Sequence, residues 1–213
     1  MKVRMRLLLA AGTALFLPSA GMAQDLRFYI NGGLSLPADP AEFPDLWNVA
    51  PSFGGGVGIR VAPEWELVGI FHVQRFPADE AAHIDDLLLV DPTGEVFEIA
   101  SLDGRDATVV TLMAESRFHF PTRFRRLSPF LAFGAGYFEF AISPATFTPD
   151  GPNQSSVRFD EEIDSALGAS VGAGIGFDVT PRIRMIFDSI YTIGFTEPVS
   201  AQYLPLRIGV GIS

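Results

Sequence analysis

Leu167-Gly168-Ala169-Ser170-Val171-Gly172-Ala173-Gly174-Ile175-Gly176-Phe177-Asp178 is followed by Val179-Thr180-Pro181-Arg182 and then by Ile183-Arg184-Met185-Ile186-Phe187-Asp188-Ser189-Ile190-Tyr191-Thr192-Ile193-Gly194-Phe195. Successive strand side chains point to opposite faces. In the first run Leu167, Ala169, Val171, Ala173, Ile175 and Phe177 share a face, against Gly168, Ser170, Gly172, Gly174, Gly176 and Asp178. In the second, Ile183, Met185, Phe187, Tyr191, Ile193 and Phe195 oppose Arg184, Asp188, Thr192 and Gly194. Each run covers the roughly 9–11 residues that a tilted strand needs to cross a bilayer. The link between them is too short for anything but a hairpin turn.

The same period of two recurs on both sides of this stretch. Phe28, Ile30, Gly32, Leu34 and Leu36 form one face upstream, and Phe53, Gly55, Val57, Ile59 and Val61 the next. Trp65, Leu67, Gly69, Phe71 and Val73 follow, opposite Glu66, His72 and Gln74; Val110, Leu112, Ala114, Phe118 and Phe120 oppose Thr111, Glu115, Arg117 and His119. Downstream, Leu204, Leu206, Ile208, Val210 and Ile212 face away from Arg207, Gly209 and Gly211. Pro129 to Ala141 is apolar on both faces, so its orientation is left open.

Connections alternate in length. Ala62-Pro63-Glu64 and Thr180-Pro181-Arg182 are tight, and 121–128 is moderately longer; between them lie 37–50, 77–106, 143–162 and 196–202. Short turns on one side and long loops on the other are expected of an up-and-down barrel with short periplasmic turns and longer extracellular loops. The fold class is therefore all-β: an eight-stranded antiparallel up-and-down transmembrane β-barrel. A soluble lipocalin-type barrel would put its large apolar side chains inside. Here the polar face is also the Gly-rich one, which suits a crowded interior and turns the apolar face to lipid.

Residues 1–23 read as a cleaved secretory signal peptide: basic Lys2, Arg4 and Arg6, an apolar run from Leu7 to Leu17, then small residues to Ala23. The mature barrel is then 24–213, in a Gram-negative outer membrane. Cleavage takes away three basic and no acidic groups, so the formal charge moves from −10 to −13. Such an acidic protein is a poor nucleic-acid partner, because that binding relies on Lys and Arg neutralising phosphates. The chain has no Cys, which removes disulfide frameworks and thiolate metal sites.

The Gly pair within Phe28–Leu36, the Gly-rich second strand closing in Ala62-Pro63, Pro129-Phe130 leading into Gly134-Ala135-Gly136-Tyr137, and the closing Leu206–Ile212 carry a resemblance. With them the chain, from Asp25 to Ser213, resembles the small outer-membrane barrels related to the OmpA transmembrane domain. Two departures accompany it. No peptidoglycan-binding domain follows here, so that tethering role is not carried over, and the last residues are Gly211-Ile212-Ser213 where members usually end in an aromatic residue.

No chemistry announces itself with the same clarity. Arg27, Arg60, Glu66, Glu115, Arg117, Asp178, Arg184, Asp188 and Arg207 project inward, and pairing is expected because an unpaired ion in a confined lumen is costly. Glu115, Asp188 and Arg207 lie away from the strand ends and are expected to form a central structural ion cluster. Eight strands leave an interior just wide enough for side chains to fill, which favours a plug over a pore. A lipid-modifying enzyme would need His72, His83 or His119 beside a placed nucleophile, and none is evident, so no enzyme activity is expected. No cofactor or metal site is expected either: the acidic outer loops lack calcium-loop spacing.

The expected surroundings are outer-membrane lipids and lipopolysaccharide, with a protein partner at the outer loops. The longest loop, 77–106, is the candidate interaction site. Its apolar Leu87, Leu88, Leu89 and Val90 can pair with the stretch from Val96 and Phe97 to Ile99 across Asp91-Pro92-Thr93-Gly94. The hairpin would either recruit a partner strand by edge pairing or simply lengthen the third and fourth strands.

Overall fold

Thr180-Pro181 turns the chain as its neighbours dictate: Glu162–Asp178 and Ile183–Gly194 pair antiparallel, with Ile175 opposite Phe187. The structure, a computed structural model, describes residues 26–86, 89–90, 96–97, 99–124, 126–149, 156–197 and 200–213. The signal-peptide segment lies outside them. In chain order the elements are β1 (Leu26–Asp39), α1 (Glu42–Leu46), β2 (Ala50–Ala62), β3 (Trp65–Phe76), α2 (Glu80–Asp86), β4 (Leu89–Val90) and β5 (Val96–Phe97). Then come β6 (Ile99–Gly104), β7 (Ala107–His119), β8 (Leu127–Ile142), β9 (Ala145–Pro149), β10 (Val157–Phe159), β11 (Glu162–Asp178), β12 (Ile183–Gly194) and β13 (Ala201–Ile212).

Eight of these strands close a barrel in the order β1-β2-β3-β7-β8-β11-β12-β13, and β13 returns to β1 with Phe28 opposite Ile212. Closure leaves no free edge in the lipid, where an unpaired backbone group would cost several kcal/mol. No helix among the described residues is long and apolar enough to cross a membrane.

The outward side chains form the apolar band. Ile30 is 73% exposed and Leu167 75% exposed, values that suit contact with lipid and not with water. Toward the short-turn end Trp65 stacks on Phe118, ring centroids 6.0 Å apart, and donates to Ser116 Oγ at 2.7 Å. Toward the other end Tyr137 donates to Glu139 at 2.5 Å, and Tyr191 donates to Gln202. Aromatic rings with polar tips at both ends match the girdles of a membrane barrel.

The orientation of β8 is settled by its neighbours. Phe130, Ala132 and Phe138 are buried in the lumen, whereas Leu131 and Phe133 face outward. It is apolar on both faces because its inner face supplies rings to the lumen. Glycine makes room for them: a Cβ on Gly174 would lie 2.4 Å from Phe130 Cζ, and one on Gly194 2.2 Å from the Phe138 ring.

Candidate functional site

The lumen is filled in two layers. In the lower one Glu66 accepts from Tyr29 at 2.5 Å and lies 3.2 Å from His119 Nε2 and 4.0 Å from Arg27 Nη1. Arg184 makes two bonds to Asp178, at 2.6 and 2.9 Å. Higher up, Arg117 donates to Glu115 Oε2 at 2.8 and 3.1 Å, and its guanidinium covers Tyr29 and Phe130 at 5.1 and 5.4 Å. Arg207 donates to Asp188 at 2.6 Å, and its Nη1 lies 2.9 Å from His72 Nε2; His72 also reaches Asn31 at 3.0 Å.

The expected trio is therefore divided. Asp188 and Arg207 meet directly, but Glu115 turns to Arg117, two residues along its own strand and on the same face. Residues i and i+2 of a strand are neighbours wherever the strand runs, whereas a contact from β7 to β13 must span the lumen. Four of the five inward arginines thus face four carboxylates. Arg60, partly exposed at the short-turn mouth, makes no ion pair among the described residues. Between Tyr29, Asn31, Arg117 and Asp188 remains a cavity of about 10 Å³, room for roughly one water.

The upper layer is aromatic. Phe43, carried by α1, is inserted from above and packs edge-on against Phe76 at 5.0 Å and Phe140 at 5.6 Å, over Phe138 and Tyr203. Trp47 packs on His83 of α2 and donates to the Arg105 carbonyl at 2.8 Å. Sequence reading missed this plug, since five residues around Pro44 carry no helical periodicity and no cap bond.

Above the plug the outer connections are knitted together. Asp106 accepts from the Ala78 backbone at 3.0 Å and pairs with Arg75 at 2.8 Å. Glu80 accepts from the Leu102 backbone at 3.1 Å. Most notably, β6 from the second loop pairs with β9 from the third, and β10 adds a third strand over a core of Leu102, Ala145 and Phe147.

The expected hairpin is only part of this arrangement. Leu89 pairs with Phe97 and Val90 with Val96, but Ile99 leaves for Pro149 of β9. Leu87 and Leu88 lie outside the described residues. The extension of the barrel is thus a continuation of β7 and β8, not of β3 and β7. It bends at Gly104 and Arg105, whose φ angles are +101° and +71°.

One array lay beyond sequence reading. His119 Nδ1 is 3.0 Å from Ser128 Oγ, while its Nε2 faces Glu66. The His119–Phe130 register brings them together across the turn. Glu66 is shared with Tyr29 and Arg27, and none of Glu66, His119 and Ser128 lines the small cavity beside Asp188. Among the described residues no group of three His, Asp or Glu side chains is placed to hold a metal ion.

A closed antiparallel eight-strand barrel, apolar outside and filled within, with long connections at one end, defines the architecture of the small outer-membrane barrel proteins. Among solved structures the chain is similar to Neisserial surface protein A, with a TM-score of 0.58 at 13% identity over 88% of this chain and 96% of that one. It is similar also to Ail, the attachment invasion locus protein of Yersinia pestis, solved with the heparin analogue sucrose octasulfate, with a TM-score of 0.50 at 16% identity over 90% of this chain and all of that one. At these identities the likeness is one of fold. No family model and no curated protein matches the chain by sequence.

Proposed function

We propose that this outer-membrane barrel, exported by a signal peptide at residues 1–23 in a Gram-negative cell, acts as a surface-interaction protein whose acidic outer loops form a platform for a protein partner. One observation carries the reading: three outer loops are tied into a single cap over a lumen that side chains fill. A conduit has no use for the Phe43 plug, whereas a binding surface gains from rigid loops because less ordering is needed on contact. The strand β10 ends the outer sheet and offers an edge for pairing.

Asp39, Glu42, Asp45, Asp79, Glu80, Asp160, Glu161 and Glu162 give these loops an acidic face. That face suits a basic partner and opposes a polyanion such as the heparin analogue in the Ail complex. The test replaces residues 79–104 by a short Gly-Ser turn and compares cells displaying each form on a panel of immobilised proteins. Retention by the unaltered chain and its loss in the variant is the expected result; equal retention contradicts the reading.

A second reading, acyl hydrolysis, is favoured by the Glu66–His119–Ser128 array alone, since nucleophile, base and acid stand within hydrogen-bond reach. Covalent labelling of the refolded full chain by a fluorophosphonate, abolished in Ser128→Ala, supports it. Absence of labelling leaves the array as part of the lumen filling.

A further inference from the structure

The lipid-facing wall is not smooth on the side of β8, β11, β12 and β13. Leu131, Ile175, Phe187 and Leu206 stand around the small Ala173 and Ser189, and the hollow they leave has a volume of about 730 Å³. Just below it two short turns touch. Phe177 pairs with Leu127, and the Asp178 backbone donates to the Arg126 carbonyl at 2.9 Å. Arg123, Arg126 and Arg182 of these turns are exposed, and none makes an ion pair among the described residues. Asp178, at the end of the strand that enters the second turn, is already held by both bonds from Arg184. Beside the arginines Phe124 is 74% exposed, an awkward position in water and a natural one at the headgroup boundary.

An apolar hollow rising from a rim of uncompensated cations complements a molecule with acyl chains above and negative charge below. We propose that this wall binds one anionic phospholipid of the periplasmic leaflet, its acyl chain in the hollow and its phosphate on Arg123, Arg126 and Arg182. The leaflet rests on the reading of short turns as periplasmic; the complementarity itself does not. A zwitterionic lipid fills the hollow but brings no net charge to the arginines.

Native mass spectrometry of the full chain in detergent micelles, with equal phosphatidylglycerol and phosphatidylcholine of matched acyl chains, tests the proposal. The unaltered protein should retain phosphatidylglycerol by roughly fivefold or more, the effect of even one arginine near an anionic surface. Arg123→Gln, Arg126→Gln and Arg182→Gln together should bring the ratio to about one while the chain keeps the heat-modifiable gel mobility of a folded barrel. Ser189→Phe should lower retention of both lipids. A ratio near one in the unaltered protein, or one that the triple variant leaves unchanged, overturns the proposal. So does a dimer of the chain in place of bound lipid. The 79–104 replacement leaves both turns intact, so failure here and failure of the surface-interaction reading are separate results.

Discussion

Arg207 shows how a single buried charge holds the interior together. Its side chain and that of Asp188 are almost fully buried, and the two groups meet at 2.6 Å. Removing one partner of a buried pair strands the other, at a cost of about 3–5 kcal/mol. Arg207→Met should therefore lower the urea unfolding midpoint strongly, and adding Asp188→Leu should recover most of the loss. An unchanged midpoint for Arg207→Met would show that the pair contributes nothing. That Arg207 and Asp188 point inward could be read from strand alternation. That Glu115 is claimed by Arg117 could have been read too, because the two are neighbours on one strand face. Proximity to His72 could not, because it depends on how far β3 and β13 are staggered around the barrel.

At the scale of the element, strands were legible where one face met lipid and the other a Gly-rich lumen, since alternation then states both fold and facing. It fell silent for β8, where both faces are apolar for different reasons. It could not reveal the β6–β9 pairing either: periodicity identifies a strand but not its partner in another loop. Replacing residues 79–104 removes β6 and leaves β9 without one neighbour. The variant barrel should fold with unchanged heat-modifiable mobility, while limited proteolysis begins to cut within 145–159. Phe43→Ala tests the plug in the same way. Truncating a buried Phe costs about 3–5 kcal/mol, here charged against a short segment, so cleavage within 40–49 should rise with the barrel intact. Resistance equal to that of the unaltered chain would mean that Phe43 does not hold the loop down.

For the whole molecule, the alternation of short and long connections was the most informative pattern, because it reports the topology directly. The filled lumen follows from the strand number, as eight strands enclose little more than their own side chains. The refolded full chain in a planar bilayer should show no sustained unit conductance; a stable conducting state would require the Phe43 plug and the Arg117–Asp188 layer to open. In the proposed topology the knitted loops stand outside the cell and the short turns face the periplasm. The absence of cysteine makes this directly measurable. Asp160, exposed between β10 and β11, and Pro181, exposed in the β11–β12 turn, are each replaced by Cys and treated on intact cells with a membrane-impermeant maleimide. Asp160→Cys should react at once and Pro181→Cys only after the outer membrane is permeabilised. Labelling of Pro181→Cys on intact cells, with Asp160→Cys protected, would show the opposite orientation in the membrane.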